Sequence, residues 1–186
     1  AMLSGAKIDL LEISGGTYEQ PRLLGLDGVS INPKRSEARK ESTIAREAYF
    51  LAYTEEIKKV IDIPLMVTGG FRSRAAMENA INEGACEIIG IGRPLCSDPL
   101  SIKKLLDREI DVLPKFEKTL SIGPGWLSSS SPFRLIQAIN AFGIQSWFYS
   151  QIRRISEGLD PDLSLNPLKA FREDGKIDKK TVQSYK

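Results

Sequence analysis

Histidine is absent from the 186 residues. That removes every mechanism with an imidazole base, and every His-ligated zinc site, from this chain. Cysteine occurs twice, as Cys86 and Cys96, too few for a disulfide framework or a four-ligand metal set. Packing accounts for both, and the usage fits a reducing, cytoplasmic setting. Charge of one sign is also lacking. The formal net charge is +2, which implies neither a nucleic-acid nor a membrane surface. No long apolar run occurs either. The richest stretch, Pro132 to Ile155, is broken by Arg134, Gln137, Asn140, Gln145, Gln151 and Arg153, whereas a membrane span wants roughly 20 mostly apolar residues. Ala1 to Leu11 lacks the pattern of a secretion signal.

What is present is ordinary globular material: 41% hydrophobic and 27% charged residues. Three short apolar runs read as strands: Ile8 to Ser14, Pro64 to Thr68 and Glu87 to Ile91. Each runs into glycine, at Gly15-Gly16, Gly69-Gly70 and Gly92. Near-continuous runs of this kind suit strands of a parallel sheet buried on both faces. Helical stretches separate them. Ser36 to Val60 repeats apolar residues at helical spacing, with Ile44, Ala48, Leu51 and Ala52 on one face. Ser73 to Glu83 opens on a capping serine and stops at Gly84. Leu100 to Arg108 follows the third strand. The β-α-β-α-β-α order predicts right-handed crossovers and a parallel sheet. The long connection from Gly15 to Arg35 leaves a strand's C-terminal end, where ligand sites of such sheets lie.

Beyond Asp111 the character changes, which divides the chain into βα units over 1–111 and a helical extension over 112–186. Ser121 to Pro132 reads as a loop. Phe133 to Glu157 reads as one long helix that Gly158 ends. The remainder reads as short helical or irregular segments. Trp147, Phe148 and Tyr149 read as packing residues rather than a cofactor stack. Lys34-Arg35 through Lys40-Glu41 reads as a solvated helix entrance. Asp9 and Glu12 lie near a strand with no second carboxylate placed beside them.

Two segments carry chemistry: Thr68-Gly69-Gly70-Phe71-Arg72 after the second strand, and Gly90-Ile91-Gly92-Arg93-Pro94 after the third. A phosphate must approach backbone N–H groups closely, and a side chain at those positions blocks it. Helix N-termini add a favourable dipole, and Arg93 can add a bidentate contact. Arg72 reads equally as a contributor and as a surface arginine. A dinucleotide fingerprint fits poorly, because Leu95 stands at its third glycine and Pro94 interrupts the turn.

DLLEISGGTYE, REAYF, IPLMVTGGFRS and IIGIGRPLCSDP, in that order and spacing, resemble the sixth, seventh and eighth βα units of the old yellow enzyme (NADH:flavin oxidoreductase/NADH oxidase) family. The similarity covers roughly residues 6 to 108, and SWFYSQIRRISEGLDPDL resembles extensions of fungal-type members. The resemblance implies an α/β fold, the last three units of a TIM (β/α)8 barrel plus a C-terminal helical extension. It implies FMN as cofactor and NAD(P)H as electron donor, with an activated alkene or related small molecule as acceptor. By position, Gly69, Gly70 and Phe71 match the strand-seven loop that contacts the flavin phosphate. Gly90, Gly92 and Arg93 match the strand-eight loop that does the same. Ser14, Gly15, Gly16 and Tyr18 match the end of strand six, near substrate or the flavin ring; Gly15 and Gly16 also read as a structural turn. Tyr18 does not match the family's proton-donating tyrosine. That donor and the His/Asn or His/His substrate pair belong to the first five units, so no catalytic residue is assigned in this chain.

The expected role is therefore the flavin-phosphate-binding part of an oxidoreductase, working with a missing N-terminal half or as a homo-oligomer. Two alternatives stay open: a non-catalytic half-barrel that binds a phosphate ligand or nothing, and another phosphate-binding barrel enzyme of the sugar-phosphate isomerase kind.

Overall fold

The computed structural model describes residues 5–14 and 51–184. Its elements are β1 (Leu11–Ser14), α1 (Leu51–Lys58), β2 (Leu65–Thr68), α2 (Arg74–Asn82), β3 (Ile88–Gly90), α3 (Arg93–Ser97), α4 (Ser101–Leu106), α5 (Arg134–Ser156) and α6 (Pro167–Ser184). Single 3-10 turns occur at Phe116–Lys118 and Gly125–Leu127. The described chain forms two compact units, one of residues 5–14, 51–95 and 100–114, the other of 96–99 and 115–184.

The first unit is α/β. Its three strands pair in parallel in the order β1-β2-β3, with Leu11 opposite Leu65, Ser14 opposite Thr68, and Thr68 opposite Gly90. Alternation puts Leu11, Ile13, Leu65, Val67 and Ile89 on one face. Ile57 of α1 and Ala76, Met77 and Ala80 of α2 pack against that face, and Leu65, Val67, Phe71, Ala80 and Cys86 form its buried centre. The other face carries Glu12, Ser14, Met66, Thr68, Ile88 and Gly90.

Burial on both faces, expected of all three strands, is realised only in part. Glu12, Ser14 and Ile88 are exposed. β2 alone is flanked on both sides, whereas β1 and β3 are the edges of the described sheet.

The opposite ends of the strands are held by Glu87. Its carboxylate accepts from the Leu65 N–H at 2.8 Å and from the Lys58 ammonium. The lysine hydrogen bond first, then the backbone N–H, holds this carboxyl below the usual range. Burial pushes the neighbouring Cys86 thiol up, with the Glu87 charge adding to the effect, so Cys86 is an inert core thiol.

The second unit is helical. The long helix expected over 133–157 is α5, and Gly158, at φ 74°, ends it. Its N–H donates to the Ile155 carbonyl at 3.0 Å. Trp147 is fully buried with Leu120, Ile144 and Ala170. Phe116 stacks on it at 6.1 Å and Phe148 meets it edge-on at 5.1 Å, so both rings serve packing. Gly143 permits the approach of α6, since a Cβ there would lie 3.1 Å from the Pro167 carbonyl oxygen. Asp174 of α6 accepts from Ser146 Oγ at 3.0 Å and from Arg153 at 2.8 Å.

The tail departs from expectation, because it forms the 18-residue α6 rather than short or irregular segments. Its start was encoded. Asn166 Oδ1 accepts from the Leu168 N–H at 2.8 Å, and Pro167 occupies the first helical position, where its missing N–H costs nothing. Its polar composition conceals the apolar period.

Asn140 pins the loop before α5. Its Oδ1 accepts from the Ile122 N–H at 3.0 Å, and its amide donates to the Leu127 carbonyl at 2.9 Å and the Ile136 carbonyl at 2.8 Å. Asn140→Leu keeps the branched outline of the side chain, somewhat enlarged, and strands the loop's backbone groups. It is expected to lower stability by about 1–3 kcal/mol, read as a lower urea midpoint of tryptophan fluorescence. An unchanged midpoint would show that the loop is not held this way. Among the described residues, no helix is long and apolar enough to cross a membrane.

Candidate functional site

Because β2 and β3 are parallel with Thr68 opposite Gly90, the chain leaves both strands at the same end, about 4.8 Å apart. One exit is Gly69-Gly70 and the other is Ile91-Gly92. Gly69 has φ 123° and Gly70 φ 83°. Two consecutive residues in that half of conformational space require glycine. Their half-buried turn then drives Phe71 back into the core, where it is 1% exposed. To a ligand, Phe71 can therefore offer its main chain, not its ring.

Arg72 is buried, a burial that sequence reading did not anticipate, and it donates to the Phe71 carbonyl at 2.7 Å. The next residues are clamped by a segment that sequence reading missed. The Leu113 N–H donates to the Arg72 carbonyl at 2.8 Å, and the Arg74 N–H to the Asp111 carbonyl at 2.9 Å. Arg74 also bonds the Ile110 carbonyl and the Asp111 carboxylate, at 2.7 and 2.8 Å. Ser73 caps α2, accepting from the Ala76 N–H at 3.4 Å. The chain that follows the Gly69-Gly70 turn is thus fixed from Arg72 to Arg74.

The two glycines of the second exit differ. A Cβ on Gly90 would lie 1.8 Å from Thr68 Oγ1 and 2.7 Å from Thr68 Cβ. The space is filled by a protein side chain, so this glycine serves sheet packing. Gly92 has nothing within 4 Å of where its Cβ would be, and it is exposed. That is open room over a main chain. Arg93 follows, partly buried, at the start of α3. With five residues, α3 is too short for a developed dipole, so positive charge at this loop rests on Arg93 rather than on the helix.

Ser14, Thr68 and Gly90 form a row across the three strand ends. Thr68 Oγ1 in that row is buried and has no hydrogen-bond partner among the described residues. Sequence reading did not single it out, although alternation from Leu65 puts it on the Gly90 face. Gly15, Gly16, Tyr18, the 34–41 run and helix residues 36–50 lie outside the described residues. Among the described residues, no group of three acidic or cysteine side chains could hold a metal ion. A shallow groove between α2 and α4, lined by Met77, Ile81, Leu105 and Leu106, includes none of the glycine-turn residues.

No protein-family profile matches the chain. Curated relatives do. The NADH-dependent flavin oxidoreductase iccE of Talaromyces variabilis is 30% identical over 161 residues, 84% of this chain and 36% of the relative. The NADH-dependent flavin oxidoreductase iliE of Hypocrea jecorina is 37% identical over 108 residues, 56% of this chain and 25% of the relative. The NADH oxidase of Thermoanaerobacter brockii is 28% identical over 156 residues, 82% of this chain and 21% of the relative. The chain belongs to an old yellow enzyme-like family. It spans about a third or less of the length of these relatives. The similarity to iccE covers most of the chain, so it cannot be confined to the glycine turns.

Proposed function

We propose that this chain supplies the flavin-phosphate-binding part of an FMN-dependent NAD(P)H oxidoreductase. The observation that carries the reading is the pair of glycine turns leaving register-matched parallel strands, one with consecutive positive φ angles, the other open above Gly92. In this reading the three strands are the last three of an eight-stranded barrel, and the exposed face of Glu12, Ser14 and Ile88 turns toward the barrel interior. The phosphate rests on the main chain of Gly69, Gly70, Phe71 and the Gly90–Gly92 segment. Arg93 supplies the charge-assisted contact.

The residues fit such a group. The main chain at Gly92 is unobstructed among the described residues, and the chain that follows Gly69-Gly70 is held at Arg72 and Arg74 by residues 110–113, so less ordering is left for binding to impose. When bound, FMN supplies hydride transfer between the reduced nicotinamide and an acceptor such as an activated alkene. The chain's own residues anchor and orient it. Names of the relatives support a flavin and NADH. The absence of histidine fits a chain that anchors cofactor while another segment handles protons and substrate.

The test compares FMN with riboflavin, which lacks the phosphate. FMN is expected to bind at least ~10-fold tighter, as loss of one charge-assisted hydrogen bond of about 1.5–3 kcal/mol requires. Equal affinities by fluorescence quenching would remove the phosphate anchor. Binding of a simple sugar phosphate without flavin would favour the isomerase-like alternative.

A further inference from the structure

α2 opens on a cation. Arg74 stands in its first turn, which holds no acidic residue, and a positive charge at a helix N-terminus opposes the dipole. The stability of α2 therefore does not explain this arginine. Its side chain, 18% exposed, reaches the strap that follows α4, where it donates to the Ile110 carbonyl at 2.7 Å and meets the Asp111 carboxylate at 2.8 Å. The main chain pairs alongside. Ser73 and Val112 form an isolated antiparallel bridge, flanked by the Leu113 N–H on the Arg72 carbonyl and the Arg74 N–H on the Asp111 carbonyl. Leu113 seals the strap from beneath, 1% exposed.

The other end of the strap is anchored to α4. Arg108 takes a φ of 62°. The N–H groups of Arg108 and Glu109 bond back to the Leu105 and Lys104 carbonyls at 3.2 and 2.9 Å, which closes the helix and turns the chain away. α2 follows the Gly69-Gly70 turn, and α4 lies downstream of the Gly92 turn. The strap thus ties together the two helices that follow the two turns.

We infer that Arg74 is a positioning residue for the flavin phosphate, acting through the main chain of Gly70 and Phe71; this rests on the function proposed above. Glycine has no side chain to hold its own turn. The restraint must come from the flanks, β2 on one side and the Arg72–Arg74 segment on the other. A binding site needs its donors preset to within about 0.5 Å, and Arg74 fixes the flank that lies outside the sheet. Of its two contacts, the Ile110 carbonyl weighs more. The Asp111 carboxylate is 86% exposed, and exposed ion pairs contribute little. The contact to Ile110 is partly buried and charge-assisted.

The test is the ratio of FMN to riboflavin affinity, measured by fluorescence quenching on the full chain beside its urea midpoint. Arg74→Gln is expected to lower FMN affinity roughly 10-fold, the lower end of the loss seen when the partner that orients a metal ligand is removed. Riboflavin affinity should hardly change. Arg74→Lys can keep one contact but lacks the fork, so it should fall between. Asp111→Asn should stay near wild type. Leu113→Ala opens a cavity under the strap and should lower the urea midpoint without moving the ratio, which separates positioning from stability. A wild type that binds FMN and riboflavin equally overturns the phosphate reading and this inference with it. A wild type that prefers FMN overturns the role of Arg74 alone if Arg74→Gln keeps the ratio, or if Leu113→Ala lowers it as far.

Discussion

Gly90→Ala is expected to lower the stability of the α/β unit by roughly 2–4 kcal/mol, more than an ordinary overpacking substitution. The added methyl would sit 1.8 Å from Thr68 Oγ1, 2.7 Å from Thr68 Cβ and 2.7 Å from Met66 Cε. Met66 is flexible and can withdraw. Thr68 cannot, because its Cβ is fixed by β2, whose register with β3 is set by the ladder. The strands must therefore separate. Thr68→Ala removes the hydroxyl but keeps Cβ, so Thr68→Ala with Gly90→Ala should recover only part of the loss. Urea unfolding followed by far-ultraviolet circular dichroism reads both. Full tolerance of Gly90→Ala would mean that β3 does not lie against β2 in this register. The same substitution at Gly92, where nothing lies within 4 Å, should leave stability nearly unchanged. Two glycines two residues apart thus separate packing from the proposed phosphate contact.

Arg93→Ala is expected to weaken FMN binding roughly 10–150-fold, the equivalent of about 1.5–3 kcal/mol for a hydrogen bond to a charged group. Riboflavin binding should not change, because the guanidinium is assigned to the phosphate. Arg93→Lys should recover only part, since an ammonium lacks the planar fork. Higher salt should weaken FMN binding to wild type more than to Arg93→Ala. If FMN and riboflavin lose affinity equally, Arg93 shapes the loop instead of holding phosphate. Isothermal titration with both ligands separates the cases.

The strands, their parallel order and α5 were legible because each rests on a local signal: short apolar runs ending in glycine, and a long run closed by Gly158. The reason for each glycine was not legible. Gly90 and Gly92 look alike in sequence, yet one accommodates Thr68 and the other faces open space. That difference depends on the register between β2 and β3, which no local pattern carries. Phe71 likewise stood beside the glycines as a contact residue, while the turn sends its ring into the core. The clamp from residues 110–113 joins segments about 40 positions apart and left no motif. Asn140 and Gln151 looked like polar interruptions of an apolar helix. They are buried, and each holds a loop by its amide. α6 was concealed by its polarity, although Asn166-Pro167 announced its start.

The most direct test of flavin binding by this chain is its visible absorption spectrum after mixing with FMN and passage through a gel-filtration column. A flavin spectrum that co-elutes with the folded chain, and is lost in Arg93→Ala, is the predicted result. A folded chain that emerges colourless would contradict the account, and would leave the two glycine turns as features of the fold alone.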